Sequence, residues 1–220
     1  MTAVSVVRGK AGGARTGHAG TLDPLAGGVL VLALGRATKS IDRLMNTDKR
    51  YRTVIDLSAF TATDDLEGER AEVPVDEPPT AEAVRAVLKR FTGPIRQRPP
   101  VFSAVKIVGR RAYKMARKGQ AVDLPARPVL VHTIDLISYG WPQAELAIQC
   151  GKGFYVRSLA RDLGEALGTG GHCAFIRRTA VGPFTEAMAT RLDDVPQPLA
   201  EEHLISMETA LRMVEESRRG

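Results

Sequence analysis

The sequence predicts an α+β fold, a mixed and largely antiparallel sheet flanked by helices, and three observations lead there. Strand-length apolar runs and segments with helical spacing are mixed along the chain. Two strand-like runs, 129–139 and 144–150, are joined by the tight turn Gly140-Trp141-Pro142, as in an antiparallel hairpin. The length, 220 residues with no internal repeat, suits one substantial core.

Taken in order, residues 2–9 form a short helix that leads into a glycine-rich, basic approach to residue 23. The run Val29-Leu30-Val31-Leu32-Ala33-Leu34 has the length and character of a buried strand. A short helical turn at 40–45 and a strand at 51–57 follow. Residues 61–79 are acidic and proline-containing and read as a surface loop with a short strand at 71–75. Thr80 is an N-cap for a helix in which Ala83, Val84, Val87, Leu88 and Phe91 recur at helical spacing, and Gly93-Pro94 ends it. A strand at 101–108 and a basic helix at 110–118, ended by Gly119, precede the 129–150 hairpin. Tyr155, Val156, Leu159, Ala160, Leu163 and Leu167 make one apolar helical stripe that stops at Gly168. A strand at 175–181 and a helix at 205–216 complete the expected elements.

The net charge is +6, and its distribution is uneven. Residues 84–118 hold eleven Lys or Arg and no acid, whereas 53–83 hold one Arg and nine acids. A basic stretch of that length favours a polyanionic partner, bound through phosphates and weakened by salt. No run approaches the ~18 apolar residues that span a bilayer, and no signal-peptide core precedes the chain, so a cytoplasmic protein without a membrane partner is expected. Cys150 and Cys173 are far apart and have no CxxC partner, so buried free thiols are expected, with no metal site and no cofactor.

Residues 17–28 read Gly-His-Ala-Gly-Thr-Leu-Asp-Pro-Leu-Ala-Gly-Gly. Glycines on both sides permit close backbone approach, and Pro24 biases Asp23 away from helix, so one carboxylate is displayed on a bent loop ahead of a strand. This string resembles the signature of the TruB family of tRNA pseudouridine synthases, in which its aspartate is catalytic. Four more segments carry the resemblance: Lys49-Arg50-Tyr51, Phe102-Ser103-Ala104-Val105-Lys106, Gly151-Lys152-Gly153-Phe154-Tyr155-Val156-Arg157 and Ile176-Arg177-Arg178-Thr179-Ala180-Val181-Gly182. Phe102 departs from the family's usual tyrosine. The resemblance runs from about residue 2 to residue 194.

The resemblance implies a pseudouridine synthase-like catalytic domain that isomerises uridine to pseudouridine in the T-loop of tRNA, at position 55, without a cofactor. The N1-glycosidic bond breaks, the base turns and C5 rejoins the sugar; an ionised carboxylate serves either by attacking C1′ or by removing the 2′ proton. Asp23 is the expected catalytic group, Arg157 the charge partner that keeps it ionised, and Tyr155 an aid to proton transfer at C5. Tyr51 is the platform on which the flipped base stacks. His18 contacts the RNA, Lys49 and Arg50 are expected among the substrate-binding residues, and Lys106, Arg110, Arg111 and Lys114 are expected on phosphates.

Two other readings stand beside this one. An RNA-binding or RNA-folding protein of the same fold, impaired in catalysis, would use the same basic surface. His18 and Asp23 also fit the HxxxxD pattern of glycerolipid acyltransferases, a short pattern that arises often by chance. The chain opens where the family's Lys-Pro-x-Gly-x-Thr-Ser segment ends, so the expected organisation is a catalytic domain at 1–196 without the family's first strand. Residues 197–220 are expected as a helical tail, too short for a further RNA-binding domain. A monomer with no protein partner is expected.

Overall fold

The computed structural model describes residues 2–103, 105–107, 110–112, 115 and 123–218, with 106, 107, 110 and 111 described by their backbone. The chain divides into two compact units, 1–50 with 178–220 and 51–177. The elements are mixed α and β, and every strand pairing described below with a register is antiparallel.

In the first unit, helix α1 (Ala3–Lys10) starts at Thr2, whose hydroxyl accepts the Ser5 N–H at 3.3 Å and satisfies one of the helix's orphan donors. Strand β1 (Thr16–His18) follows it, then β2 (Ala26–Gly28) and β3 (Leu32–Leu34). The single strand expected over 29–34 is therefore split. Its middle serves two partners: the Val29 N–H donates to Arg178 O, and Val31 O accepts the Ala19 N–H. β3 pairs instead with β1, Gly17 facing Ala33. A 3-10 turn at Gly35–Ser40 runs into the short helix α2 (Ile41–Met45).

Strand β4 (Lys49–Asp56) passes from the first unit into the second along the chain. Next come the hairpin β5 (Ala59–Thr61) and β6 (Arg70–Glu72), helix α3 (Ala81–Leu88) capped by the Thr80 hydroxyl, and β7 (Gly93–Gln97). The strand expected over 101–108 is reduced to β8 (Lys106–Ile107), which pairs with β9 (Arg110–Arg111). Arg110 and Arg111, expected to open the basic helix, are strand, whereas Ala112 and Met115 are helical. Most of 112–118 lies outside the described residues.

β10 (Arg127–Gly140) and β11 (Gln143–Cys150) form the expected hairpin, with register shifts near 131–133 and 136–138. Helix α4 (Val156–Leu167) ends at Gly168, whose φ of 71° is the left-handed stop that glycine adopts freely. β12 (His172–Val181) leads back towards the first unit. In the second unit the sheet order is β12–β4–β11–β10–β7. Ile55, Leu57, Leu146 and Ile148 are buried, as are Leu159 and Leu163 of α4 and Val84 and Leu88 of α3, and α3 and α4 pack against each other. Burying each such side chain is worth about 1.5–3 kcal/mol.

Within the first unit, the end of β12 pairs with β13 (Phe184–Thr185), and helix α5 (Met207–Glu216) starts at the Ser206 cap. Its Val214 is buried with Ala19, Val29, Leu44, Val181 and Phe184. Residues from the expected tail therefore belong to the core that underlies the Asp23 segment. Among the described residues, no helix is long and apolar enough to cross a membrane.

Candidate active site

The segment around Asp23 lies in the first unit and is held through its backbone. After β1, the chain turns, and Asp23 O accepts the Ala26 N–H at 2.9 Å across Pro24. Asp23 itself is half-buried. Arg178, on β12, is 2% exposed, and its guanidinium donates to Val29 O at 2.8 Å, Thr21 O at 3.3 Å and Gly20 O at 3.1 Å. Its own carbonyl accepts the Val29 N–H at 2.8 Å. Gly28, at φ 100°, permits this approach: a Cβ there would stand 2.2 Å from Arg178 O.

His18 ends β1, half-buried, and its Nδ1 is enclosed by protein without a hydrogen-bond partner among the described residues. Arg50 is exposed at the start of β4. Lys49, expected among the substrate-binding residues, is buried at the start of β4. It is 8% exposed, and its ammonium donates to Met45 O, at the end of α2, and to Thr47 O just beyond it, both at 2.5 Å. A lysine held by backbone carbonyls in this way is a structural cation, because its charge complements the helix C-terminus and is withdrawn from solvent.

In the second unit, Tyr155 and Arg157 come together at the start of α4. Arg157 is 4% exposed; its Nη1 lies 3.2 Å from Asp65 Oδ2 and donates to Thr63 O at 2.9 Å, and Nη2 donates to Phe102 O at 3.1 Å. Asp65 is 1% exposed and also accepts the Thr63 hydroxyl and, at 3.0 Å, the Glu67 N–H. One helical turn on, Arg161 meets Asp64 Oδ2 at 3.0 Å and Asp162 Oδ1 at 2.7 Å. Burial pushes the Asp64 carboxyl up to about 6, against the pull of Arg161 and Arg157. Asp64 sits at φ 60°, a left-handed conformation that Asp tolerates better than most residues, and this turn hands its carboxylate and that of Asp65 to different arginines.

The surface loop expected at 61–79 is corrected at this point. Two of its acids are turned inward because Arg157 and Arg161, four apart on one helix, need counter-charges once that face is buried. Arg161, a neighbour on the same helix, is thus tied to Asp64 and Asp162 and does not define a free surface face.

Tyr155 is half-buried and precedes α4. Its N–H donates to Gln97 Oε1 at 2.8 Å, and Gln97 Nε2 donates to Tyr155 O at 3.0 Å. Gln97 is 2% exposed at the end of β7. Its amide therefore completes both backbone groups of Tyr155 as a neighbouring strand would, and the ring packs against Val105, Ala112 and Leu124. Tyr51 is half-buried on β4. Lys106 and Arg111 face each other across β8 and β9 as backbone positions, Arg110 faces Ile107, and Lys114 lies outside the described residues. Cys150 and Cys173 are buried free cysteines, and burial pushes the Cys173 thiol up.

Three residues of this arrangement were not singled out as site residues from sequence: Arg178, Asp65 and Gln97. Arg178 stood in a segment that carried the family resemblance. The signal for Asp65 was the pair Arg157 and Arg161 on an apolar helix. No local signal marks Gln97, whose partner is 58 residues away.

Comparison with known proteins agrees with the early resemblance. A model described as "TruB family pseudouridylate synthase (N terminal domain)" matches residues 8–156, and one described as "tRNA pseudouridylate synthase B C-terminal domain" matches 157–214. The chain is 46% identical over 217 residues to a tRNA pseudouridine synthase B of Caulobacter vibrioides, covering 96% of this chain and 69% of that protein. It is 48% identical to the synthase of the same name from Rhodopseudomonas palustris, covering 88% of this chain and 53% of the relative. The chain thus spans between about half and about two thirds of the length of these curated relatives. A solved Cbf5-Nop10-Gar1 complex contains a chain superposable with a TM-score of 0.66 at 30% identity, covering 87% of this chain and 48% of that one. The matched models describe pseudouridylate synthases and lend nothing to the acyltransferase reading.

Proposed function

From the premise that the chain belongs to the TruB family of pseudouridylate synthases, we propose that it isomerises uridine to pseudouridine in the T-loop of tRNA, with Asp23, Tyr155 and Arg157 as its catalytic residues. The observation that carries this reading is the fixed Asp23 segment: the family's aspartate string folds into a turn whose shoulders are bonded to one buried arginine. A carboxylate that attacks C1′ or removes the 2′ proton has to be ionised and directionally fixed, and a tethered backbone supplies the second requirement. Arg157, aligned by Asp65 and two carbonyls, is the proposed electrostatic partner for that charge.

Tyr51 is the proposed platform for the flipped uridine. Extruding a base costs a few kcal/mol, and stacking returns about 1–3 kcal/mol, so one ring offsets much of the cost. His18, Arg50, Lys106, Arg110, Arg111 and Lys114 are the proposed contacts to the RNA, positioning it largely by its backbone and shape. Tyr155 is the proposed aid to proton transfer at C5, and Gln97 pins its backbone.

The test is incubation with unmodified tRNA followed by mapping of pseudouridine. Wild-type protein is expected to modify the T-loop uridine, and Asp23→Asn is expected to bind tRNA and yield no product. Binding without product from wild type would favour the RNA-folding reading; equal product from both proteins would overturn the assignment of Asp23.

A further inference from the structure

Arg178 is an unusual residue to bury. Its guanidinium is withdrawn from solvent, its hydrogen-bond partners are three backbone carbonyls, and among the described residues no carboxylate pairs with it. Burying a cation without a counter-charge is costly, so a residue kept only for packing would be served better by an apolar side chain. What the guanidinium supplies is a planar fork. Nε reaches Val29 O on one side of Asp23, while Nη1 and Nη2 reach Thr21 O and Gly20 O on the other. A lysine ammonium, a single point on a flexible stem, cannot satisfy both shoulders together.

The segment needs such a constraint. Gly20 has φ 108° and Gly28 φ 100°, and Gly27 stands between Asp23 and the second shoulder, so its intrinsic freedom is large. The Val29 N–H to Arg178 O bond and the space left by Gly28 bring the two backbones together at the same residue. Arg178 thereby grips the Asp23 segment with its side chain and its main chain.

Resting on the pseudouridine synthase reading, we propose that Arg178 is a positioning residue that fixes the direction of the Asp23 carboxylate, acting on the chemical step rather than on the hold on RNA. A misplacement of about 1 Å at a reacting group costs about 100-fold in rate, and that is the size of effect expected.

Hydrogen exchange, single-turnover kinetics and tRNA binding together test this. In wild type, the Ala26 and Val29 amides are expected to be protected far beyond those of an exposed loop; rapid exchange there would overturn the proposal without any variant. In Arg178→Lys, exchange at 20–29 should accelerate while that of α4 is unchanged. The single-turnover rate should then fall about 100-fold, with the tRNA dissociation constant within about 3-fold of wild type. An unchanged rate in a folded variant, or a loss of affinity that accounts for the whole effect, would overturn it. If wild type makes no pseudouridine but Arg178→Lys still loosens the segment, the clamp stands and the proposed reaction falls.

Discussion

In the first unit, Asp23 is steadied through main-chain atoms: a turn closed by its own carbonyl, and shoulders bonded to Arg178. In the second, Arg157 is steadied through its side chain, by the Asp65 carboxylate and two carbonyls, with Asp64 and Arg161 beside it. The difference follows from what each group must do. For Asp23, the proposed reacting group, the bonds to Arg178 hold the backbone on either side of it and so restrict where its carboxylate is presented. Arg157 divides its guanidinium between Asp65 and two carbonyls, and the carboxylate offsets the cost of burying its charge. Carbonyl acceptors do not titrate, whereas carboxylate partners do, and the two regions should therefore respond differently to mutation and to pH.

The largest separation is expected from Asp65→Ala. Removing one member of a buried ion pair strands the other charge, at a cost of about 3–5 kcal/mol. Urea unfolding of the variant should show that loss. Combining it with Arg157→Met should recover much of the stability, since an apolar pair of similar volume is often tolerated, while leaving the protein inactive. A double variant no more stable than Asp65→Ala alone would show that the cost is not one of stranded charge.

A smaller effect should come from pH, through Asp64 in the second region. The folded-state value of Asp64, about 6, lies above its ordinary 3.8, so between those values the folded protein binds more protons than the unfolded chain. That contribution to stability is fully present below about pH 4 and is lost as pH rises through about 6. Its limit is about 3 kcal/mol. The stability of wild type relative to Asp64→Asn should accordingly fall between pH 4 and 7; a difference that stays constant or rises over that range would mean that Arg161 overcomes the burial of Asp64.

The two regions also differed in how far their sequence could be read. The Asp23 turn was legible because Gly, Asp and Pro act on their own neighbours, and the Thr80 cap and the Gly168 stop were legible for the same reason. The family strings named Asp23, Tyr155 and Arg157, but not what holds them. Asp65 was hidden because an acidic, proline-containing segment looks solvated until its arginine partners are known to be buried. The strand at 29–34 was hidden because apolar character does not say which neighbour each backbone group will bond, and here Val29 and Val31 bond different ones. Lys49 stands in a basic tripeptide, and nothing in that tripeptide announces the Met45 and Thr47 carbonyls to which its ammonium donates.

Gln97 joins the two modes of restraint, since it is a neutral clamp on a backbone within the charge-held region. Its amide matches the Tyr155 N–H and C=O in both directions, and Tyr155 O keeps a second bond from the Leu159 N–H at 3.2 Å. Gln97→Leu therefore orphans one half-buried donor and leaves the carbonyl satisfied, for an expected loss of about 2 kcal/mol, below that for Asp65→Ala. If backbone restraint is what each proposed catalytic group requires, this variant should also slow single turnover while leaving Arg157 paired. A variant that loses stability with no change in rate would confine that rule to Asp23, where the proposed reacting atom belongs to the tethered residue itself.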